Sequence, residues 1–419
     1  MTALPENIEV AIVGAGQAGL SLSWHLTRAG IPHVLLERDA VAHEWKDGRW
    51  DAFTLVTPNW QCVLPGHPYD GPEPDGFMTR DEVFAWVRAY ADSFDAPVVT
   101  GVEVTRVTQD EASGFLVGTS AGEVHADQVV VATGGYHRPI LPPWAERLPA
   151  GIHQVHSSAY RNATDLPEGG VLVVGSGQSG AQIAEDLHLE GRAVHLALGG
   201  APRCARFYRG RDCIAWLNDM GIYDRPVEQQ ASGLAKREST NHYMTGRDGG
   251  RDIDLRRFAL DGMRLYGRLL DAADGVIAVA PTAEASLDAA DAVFESIKND
   301  IDAYIAREGI AAPTETRQPP VWRPETEPTS LDLAAAGITS IVWSIGYRAD
   351  YSWLRVGVFD GTGAPTHHRG VTGVPGLSFL GLPWLHTWGS GRFAAIARDS
   401  AYLAERIEER AQARRAEAA

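Results

Sequence analysis

Two glycine-rich segments have the residue types and the spacing of a pyrophosphate-binding turn. Residues 14–19 (GAGQAG) and 175–180 (GSGQSG) both match the pattern GxGxxG. In such a turn the first glycine makes a tight bend, the second lets the backbone approach a pyrophosphate, and the third lets the helix lie close to the strand. Free N–H groups at the start of the helix then bind the phosphates. We therefore predict two dinucleotide sites, built on Gly14, Gly16, Gly19, Gly175, Gly177 and Gly180.

Each motif lies between segments with the hydrophobic pattern of a β-α-β unit. Around the first motif, residues 7–13 predict a strand, 17–29 a helix and 33–37 a second strand. The second motif is flanked in the same way, by a strand, a helix and a strand at 171–175, 178–189 and 193–198. Strands that alternate with helices favour a parallel sheet, so the predicted fold class is α/β with two Rossmann-like domains.

The rest of the chain alternates between shorter strands, helices and loops. Residues 50–76 are rich in Pro, Gly and Trp and predict a long ordered loop, 80–94 predict a helix, and 138–168 predict a linker. Further elements are expected as strands within 97–132, at 275–279, from 339 and from 376, and as a helix at about 392–410. This order fits a chain that begins one binding domain, inserts a second, and returns to the first.

The residue that ends each second strand distinguishes the two sites. Glu37 follows the first motif at the distance where a carboxylate accepts a hydrogen bond from a ribose hydroxyl, which is typical of an FAD site. The strand after the second motif has no such acid and runs into Arg203, with Arg206, Arg209 and Arg211 following. Because an acid repels a 2′-phosphate and an arginine fork binds one, we predict NADPH rather than NADH, with Arg203 as the ligand. A solvated surface is the alternative for Arg209 and Arg211.

These assignments give the expected domain boundaries. An FAD-binding domain is formed in two parts, by residues 1–165 and 326–410. An NADPH-binding domain with a helical insertion occupies 166–325. The last residues, 411–419, are expected to form a frayed tail.

Charge and composition exclude several other classes of protein. The net charge of −17 disfavours nucleic acids and anionic membranes as partners. The three cysteines, Cys62, Cys204 and Cys213, have no CxxC spacing, so neither a zinc site nor a dithiol redox centre is indicated. The N-terminus lacks the basic start of a signal peptide, and no apolar run reaches membrane-spanning length. We expect a cytoplasmic protein that binds no metal, and we leave open whether it forms an oligomer.

Further landmarks lie outside the glycine motifs, namely Trp45, CVLPGHPY (62–69), GFMTRDEVFAWVRAYADSF (76–94), ATGGYHRPILP (132–142) and IGY (345–347). With them the chain resembles the class B flavin-dependent monooxygenases, which include flavin-containing monooxygenases, plant auxin-forming enzymes and Baeyer–Villiger enzymes. The segment 49–62 (RWDAFTLVTPNWQC) resembles a bacterial subgroup of flavin-dependent oxidoreductases. The resemblance implies that NADPH reduces FAD and that O2 forms a C4a-hydroperoxyflavin. A small nucleophile containing nitrogen or sulfur then takes the distal oxygen.

The resemblance also implies catalytic residues. The family fingerprint between the two glycine motifs is half retained, because the chain keeps His156 and Tyr160 but lacks the fingerprint's Phe and Gly. A family asparagine near the flavin aligns with Val56, and Asn59 is the nearest asparagine. We therefore predict Asn59, His156 and Tyr160 as catalytic residues. A hydrogen-bonded linker residue is the alternative for His156, and a Pro-Asn turn is the alternative for Asn59.

The remaining cofactor-binding candidates follow from the same landmarks. The segment 381–393, which opens the last helix, is expected to approach the flavin ring, and Trp60, Trp384 and Trp388 are expected to wall an apolar pocket. The other predicted cofactor-binding residues are Gln17, Ala18, Arg38, Trp45, Arg49, Thr133, Gly134, Gln178, Ser179, Gly346, Tyr347, Gly389 and Ser390.

Three other functions fit the same paired sites. The first is a Baeyer–Villiger monooxygenase. The second is a flavin reductase that passes electrons to a partner protein. The third is a non-catalytic flavoprotein sensor, which the incomplete fingerprint keeps open.

Overall fold

The computed structural model describes residues 4–109 and 114–418. The helices are α1 (Gln17–Ala29), α2 (His43–Lys46), α3 (Arg80–Asp92), α4 (Gln178–Leu189), α5 (Cys213–Asp219), α6 (Leu255–Leu260), α7 (Ala283–Glu308) and α8 (Phe393–Ala418). The strands up to the second glycine motif are β1 (Asn7–Val13), β2 (His33–Glu37), β3 (Val63–Leu64), β4 (His67–Pro68), β5 (Val98–Thr100), β6 (Val104–Gln109), β7 (Phe115–Thr119), β8 (Gly122–Val131), β9 (Arg138–Pro139), β10 (His153–His156) and β11 (Gly170–Val174). The later strands are β12 (Val194–Ala197), β13 (Phe207–Tyr208), β14 (Arg211–Asp212), β15 (Arg264–Tyr266), β16 (Leu269–Ala273), β17 (Val276–Val279), β18 (Ser330–Asp332), β19 (Ile338–Trp343), β20 (Tyr347–Arg348) and β21 (Leu377–Phe379).

The first sheet has the strand order β5-β2-β1-β8-β7-β6, with β21 also paired to β8. β1 is parallel to both neighbours, and Val10 lies opposite His33 on one side and Gln128 on the other. The long strand β8 pairs antiparallel with β7 near its start and parallel with β21 at its end. The first glycine motif therefore begins at the carboxyl end of a strand in the parallel part of this mixed sheet, where open α/β folds bind their ligands.

The second sheet has the order β10-β19-β11-β12-β15, and all of its pairs are parallel. β11 precedes the second glycine motif and lies between β19 and β12, with Val171 opposite Ser340 and Val194. Val171, Leu172 and Val173 are fully buried. Because helices cover both faces of such a sheet, its central strands carry continuous apolar runs rather than alternating ones.

The predicted β-α-β units are confirmed, and α1 and α4 have the predicted bounds 17–29 and 178–189. The predicted helix at 80–94 ends at Asp92 and begins at a capping box, in which Thr79 and Glu82 each accept a hydrogen bond from the other's backbone N–H.

Two strands lie in a different domain from the one predicted. β10 and β19 both belong to the second sheet, although they fall within 1–165 and 326–410, the ranges assigned to the first domain. The second domain therefore begins before residue 153 and continues through residue 343. The hydrophobic pattern identifies β19 as a strand but contains no information about the sheet it joins, because pairing is decided by distant segments.

The C-terminal tail is also different from the prediction. α8 continues to Ala418, Ala411 is buried, and two ion pairs join Arg414 to Asp127 and Arg415 to Glu9. α8 packs against α1, so the first domain supports residues 411–418 as part of a regular helix. None of the helices in the described ranges combines the length and the apolar character needed to cross a bilayer.

Candidate active site between the two dinucleotide units

The first glycine turn is closed at two of its glycines and open at the third. Gly14 has a φ of +107°, and a methyl group added there would lie 2.7 Å from the carbonyl oxygen of Ala132. A methyl group at Gly19 would lie 2.0 Å from the carbonyl oxygen of Gly14. At Gly16 nothing lies within 4 Å of such a methyl group. The turn therefore has the tight bend, the close helix and the free approach that a pyrophosphate requires.

The second turn repeats this geometry. Gly175 has a φ of +101° and leaves 2.5 Å between an added methyl group and the carbonyl oxygen of Ser344. A methyl group added at Gly180 would lie 1.8 Å from the carbonyl oxygen of Gly175. At Gly177 nothing lies within 4 Å of such a methyl group. Two buried hydroxyl oxygens beside these turns, Oγ1 of Thr133 and Oγ of Ser344, have no hydrogen-bond partner among the described residues. Unsatisfied buried polar atoms at both turns fit two bound dinucleotides.

The two sites differ at the end of the next strand, as predicted. In the first, the Glu37 carboxylate accepts hydrogen bonds from the backbone N–H of Ala15 at 2.8 Å and of Asp39 at 3.0 Å, so it lies against the glycine turn. In the second, the Oγ of Ser176 accepts from the backbone N–H of Gly199 at 2.9 Å, and no carboxylate ends β12. A ribose acceptor at the first site and space for a phosphate at the second stay predictions, which this difference supports.

Gln17 connects the first turn to the C-terminal part of the chain. Its Oε1 accepts a hydrogen bond from Nε1 of Trp45 at 3.0 Å, and its Nε2 donates to the carbonyl oxygen of Gly391 at 3.3 Å. The Trp45 ring stacks on Phe393, and the guanidinium of Arg49 lies 5.3 Å from the Trp45 ring centre. The predicted residues Gln17, Trp45 and Arg49 thus form one cluster, whereas Arg38 pairs with its exposed neighbour Asp39.

The loop before α8 packs directly on the first glycine turn. A methyl group added at Gly381 would lie 2.7 Å from Cβ of Ala18, so the loop approaches α1 closely at this glycine. Within the loop, Oγ of Ser390 accepts hydrogen bonds from the backbone N–H groups of His386 and Thr387, both at 3.0 Å. Gly389 packs against Ala395 on α8. These contacts hold the start of α8 beside the predicted flavin site.

A pocket opens between the two units, with about 430 Å³ of unfilled space including its mouth. The first domain contributes residues at 56–61, the second glycine turn contributes Gln178, and the loop before α8 contributes Trp388 and Arg392. The inserted region 204–244 closes the remaining side. Trp388 thus lines the pocket as predicted, and Trp384 stacks behind it at 6.4 Å. Both dinucleotide units and the inserted region meet at this pocket, which makes it the candidate active site.

The arginines after β12 form ion pairs instead of the predicted phosphate fork. Arg203 is mostly buried, lies 3.3 Å from Asp254 and 3.1 Å from Asp291, and its guanidinium stacks 3.9 Å above the Phe294 ring. Arg206 is fully buried. Arg206, Arg209 and Arg211 pair respectively with Asp212, Asp302 and Asp219. The guanidinium of Arg203 is thus paired with two carboxylates, which argues against Arg203 as the 2′-phosphate ligand. They come from the inserted helical region, whose position the sequence pattern does not reveal.

His156 and Tyr160 have structural contacts away from the pocket. Nδ1 of His156 accepts a hydrogen bond from the backbone N–H of Ser158, so its Nε2 donates to the carbonyl oxygen of Gly346 at 3.2 Å. Burial lowers the pKa of His156, which favours this neutral form. The buried Tyr160 hydroxyl donates to Asp186 at 2.8 Å. These contacts fit the alternative of a hydrogen-bonded linker residue for His156, and the catalytic role of both residues stays a prediction.

Asn59 also has structural contacts. It is buried, its Nδ2 donates to the carbonyl oxygen of Glu73, and its Oδ1 accepts from the backbone N–H of Met78, both at 2.9 Å. Both ends of the amide therefore hold the loop that leads to α3, which fits the alternative of a Pro-Asn turn, and the catalytic role of Asn59 stays a prediction. Val56, the position aligned with the family asparagine, does line the pocket. At this aligned position the chain therefore presents an apolar side chain to the pocket.

The segment 345–347 links the two domains. β20 pairs antiparallel with β9, which places Tyr347 opposite Pro139, and the Tyr347 ring contacts the ring of His156 edge to face. Gly346 has a φ of +95° and Gly134 a φ of +71°, conformations that favour glycine at the end of each sheet. These residues and Thr133 lie where the chain passes between the domains. Ser179 lies beside Gln178 in the first turn of α4.

Cys204 and Cys213 come into contact, which their sequence spacing does not suggest. Both are buried and free, and Cys204 lines the pocket. A hydrogen bond to Cys204, together with burial, raises the pKa of the Cys213 thiol far above its usual range. The thiol form is therefore strongly favoured, and a thiol is a poor nucleophile.

A buried carboxylate behind the second turn predicts a pH effect on stability. Glu185 on α4 is 2% exposed and lies 3.3 Å from Arg251 without forming a hydrogen bond through that oxygen. Burial raises its pKa from 4.5 to about 7, against the lowering effect of Arg251. The folded protein therefore binds this proton more tightly than the unfolded chain does. The stabilisation that comes from protonated Glu185 is present at low pH and is lost as the pH rises from about 4.5 to about 7.

We expect the Glu185→Gln variant to lack this pH dependence. Melting temperatures of the wild type and the variant, recorded across that pH window, should diverge in favour of the variant as the pH rises. A constant difference between the two proteins would contradict a raised pKa for Glu185.

Five polar residues of the pocket were not predicted from the sequence, namely Thr57, Gln61, Asn241, His242 and Arg392. Arg392 lies inside the segment predicted to approach the flavin, so its charge was a usable signal. Asn241 lies in a polar stretch with no periodicity, and no sequence pattern distinguishes it.

Comparisons with known proteins agree with this architecture. Residues 11–207 match the family described as pyridine nucleotide-disulphide oxidoreductase. An uncharacterized CzcO-like oxidoreductase of Geobacillus kaustophilus is 30% identical over 402 residues, covering 94% of this chain and 97% of the relative. A probable indole-3-pyruvate monooxygenase, YUCCA4 of Arabidopsis thaliana, is 34% identical over 191 residues, covering 45% of this chain and 46% of the relative. The solved flavin-containing monooxygenase of Stenotrophomonas maltophilia superposes with a TM-score of 0.62 at 19% identity, covering 97% of this chain and 99% of that one.

Proposed function

The chain belongs to the CzcO-like flavin-dependent oxidoreductases of the flavin monooxygenase family, and from this membership we propose that it is an NADPH-dependent FAD monooxygenase. Its substrate is a small cytoplasmic molecule with a nucleophilic nitrogen or sulfur, oxygenated at the expense of O2. The first glycine turn holds FAD and the second holds NADPH. When bound, the flavin supplies the oxygen-transfer chemistry, and the side chains bind, orient and shield the reactants.

The pocket between the two turns supports this proposal most directly. Gln178 belongs to the second turn, and Arg392 follows the loop that packs on the first, so one pocket adjoins both sites. A shared pocket brings the nicotinamide, the flavin and a small substrate together. Its apolar wall, which includes Ile214, Met244 and Trp388, excludes water from the oxygenating step.

Purified protein tests the proposal. We expect bound FAD, and oxygen uptake that depends on both NADPH and one compound of a panel of thioethers, amines and hydroxylamines. Mass spectrometry should find the sulfoxide, N-oxide or N-hydroxylated product. Absence of bound FAD, or of NADPH-dependent oxygen uptake with every compound, would overturn the proposal. An ester formed from a ketone would instead identify a Baeyer–Villiger enzyme.

The contact between Cys204 and Cys213 favours a second candidate function. A flavoprotein with one thiol lining its pocket and a second thiol behind it is suited to pass a hydride from NADPH through the flavin to a disulfide, which with one proton from solvent yields two thiols and NADP⁺. The family description of the matched segment names this kind of reaction. The raised pKa of the Cys213 thiol argues against this function, because a nucleophilic thiolate is required.

The Cys213→Ala variant separates the two functions. We expect NADPH-dependent oxygen uptake to be unchanged, because Cys213 is buried behind the pocket and its thiol is protonated. The measurement compares oxygen uptake and NADPH-dependent reduction of a small aromatic disulfide in the wild type and the variant. Disulfide reduction that the wild type performs and the variant loses would establish the second function.

A further inference from the structure

One cation in the pocket has no counter-charge. Arg392 is half-buried and immediately precedes α8. Its Nη2 donates a hydrogen bond to Oδ1 of Asn241 at 2.6 Å. Its guanidinium also lies 5.1 Å from the Trp388 ring centre. Within the described parts of the chain, no carboxylate oxygen lies within 4.0 Å of this guanidinium. Buried or half-buried arginines elsewhere, such as Arg203 and Arg206, do have carboxylate partners.

The other residues around the pocket do not neutralise this charge. Among the residues that the structure describes, no aspartate or glutamate lines the pocket. Burial and the nearby Arg392 lower the pKa of His242 to about 4, so this histidine is neutral at pH 7. An arginine keeps its proton at any physiological pH. The pocket therefore carries one fixed positive charge and no negative one.

The neighbours of Arg392 fix its orientation and that of a second donor. Oδ1 of Asn241 accepts from Arg392 and also from Nε1 of Trp388 at 3.3 Å. Both partners are donors only, so the oxygen of the amide must face them and its Nδ2 group must face away. That Nδ2 group has no hydrogen-bond partner in the described residues. Two donors, one charged and one neutral, thus remain at one end of the pocket.

The wall beside these two donors is apolar. Tyr223 and Trp388 stack in parallel with ring centres 4.8 Å apart, and Ile214 and Met244 complete the wall. Such a wall fits an organic ring or chain rather than a phosphate group. In the proposed function, the backbone N–H groups of the glycine turns bind the phosphates of the two dinucleotides.

We propose that Arg392 and Asn241 bind the carboxylate of the substrate, so that the protein oxygenates a small organic acid whose apolar body lies against Tyr223 and Trp388. The planar guanidinium fork matches a carboxylate in shape and charge. This inference rests on the proposed function and names its substrate class.

The test uses (phenylthio)acetate and its neutral amide, (phenylthio)acetamide, which share a ring and a nucleophilic sulfur. Binding to the FAD-loaded protein is measured by the change in flavin absorbance. We expect the wild type to bind the acid at least about tenfold more tightly than the amide, because a charged hydrogen-bonded pair is lost with the amide. In Arg392→Met this preference should disappear, and in Arg392→Lys it should be partly retained. Arg406→Met removes a charge from the exposed side of α8 and should leave it unchanged.

The outcomes distinguish this inference from the proposed function. Equal binding of the two compounds by the wild type, or binding of neither, would overturn the carboxylate site. Loss of FAD or a raised NADPH requirement in both Arg392 variants would also overturn it, because Arg392 would then serve a cofactor phosphate. Preferential binding of the acid by a protein that oxygenates neither the acid nor any compound of the panel would preserve the site and refute the monooxygenase.

Discussion

The Gly177→Ala variant is expected to fold, to retain FAD, and to lose about 100-fold in the efficiency of flavin reduction by NADPH. Nothing lies within 4 Å of a methyl group at Gly177, and its backbone φ of −65° suits alanine, so the protein itself tolerates the change. The methyl group occupies the space through which the second pyrophosphate approaches the backbone. Stopped-flow absorbance at increasing NADPH concentrations measures the dissociation constant and the reduction rate.

Two glycines provide the controls. Gly16 is the open glycine of the first turn, so Gly16→Ala should instead lower the FAD content of the purified protein. Gly361 also has free space around it but lies in an exposed turn, and Gly361→Ala should leave both cofactors unaffected. Loss of FAD in Gly177→Ala, with NADPH binding intact, would mean that the two turns are assigned to the wrong cofactors.

The Arg206→Met variant is expected to be destabilised by about 3–5 kcal/mol. This is the cost of leaving the other member of a buried ion pair without its counter-charge. Arg206 is fully buried, donates to Asp212 at 2.6 Å and to the carbonyl oxygen of Val56 at 2.8 Å, and lies over the Phe77 ring. Burial already raises the pKa of Asp212 against the effect of Arg206. Calorimetry at a fixed scan rate should show the melting temperature falling by about 3–6 °C, because the unfolding entropy of a chain of 419 residues gives roughly 1 °C per kcal/mol.

A nearby arginine gives the matched control. Arg211 also pairs with an aspartate, Asp219, but both side chains are about 40% exposed. Arg211→Met should therefore change stability by less than about 1 kcal/mol. Adding Asp212→Asn to Arg206→Met should recover part of the loss, since no carboxylate then stays buried without a partner. If Arg206→Met and Arg211→Met lowered the free energy of unfolding equally, the buried pair would contribute no more to stability than the exposed pair.

Local patterns were sufficient to predict the two glycine turns and the strands and helices around them. Each β-α-β unit occupies about 30 contiguous residues, and its apolar periods, its glycines and Glu37 all lie within that stretch. The same is true of α4, whose predicted bounds the structure reproduces. The prediction of paired sites therefore needed no long-range information.

Longer-range features came only from the folded chain. β19 joins the second sheet through pairs such as Val171 with Ser340, which lie far apart in sequence and have no local signature. Arg203 seemed free for a phosphate because Asp254 and Asp291, its partners, belong to separate elements. The contact between Asn241 and Arg392 spans 151 residues. Which side chains line the pocket depends on how the inserted region and the loop before α8 pack together, and burial and pairing at such distances are decided by tertiary packing rather than by local sequence.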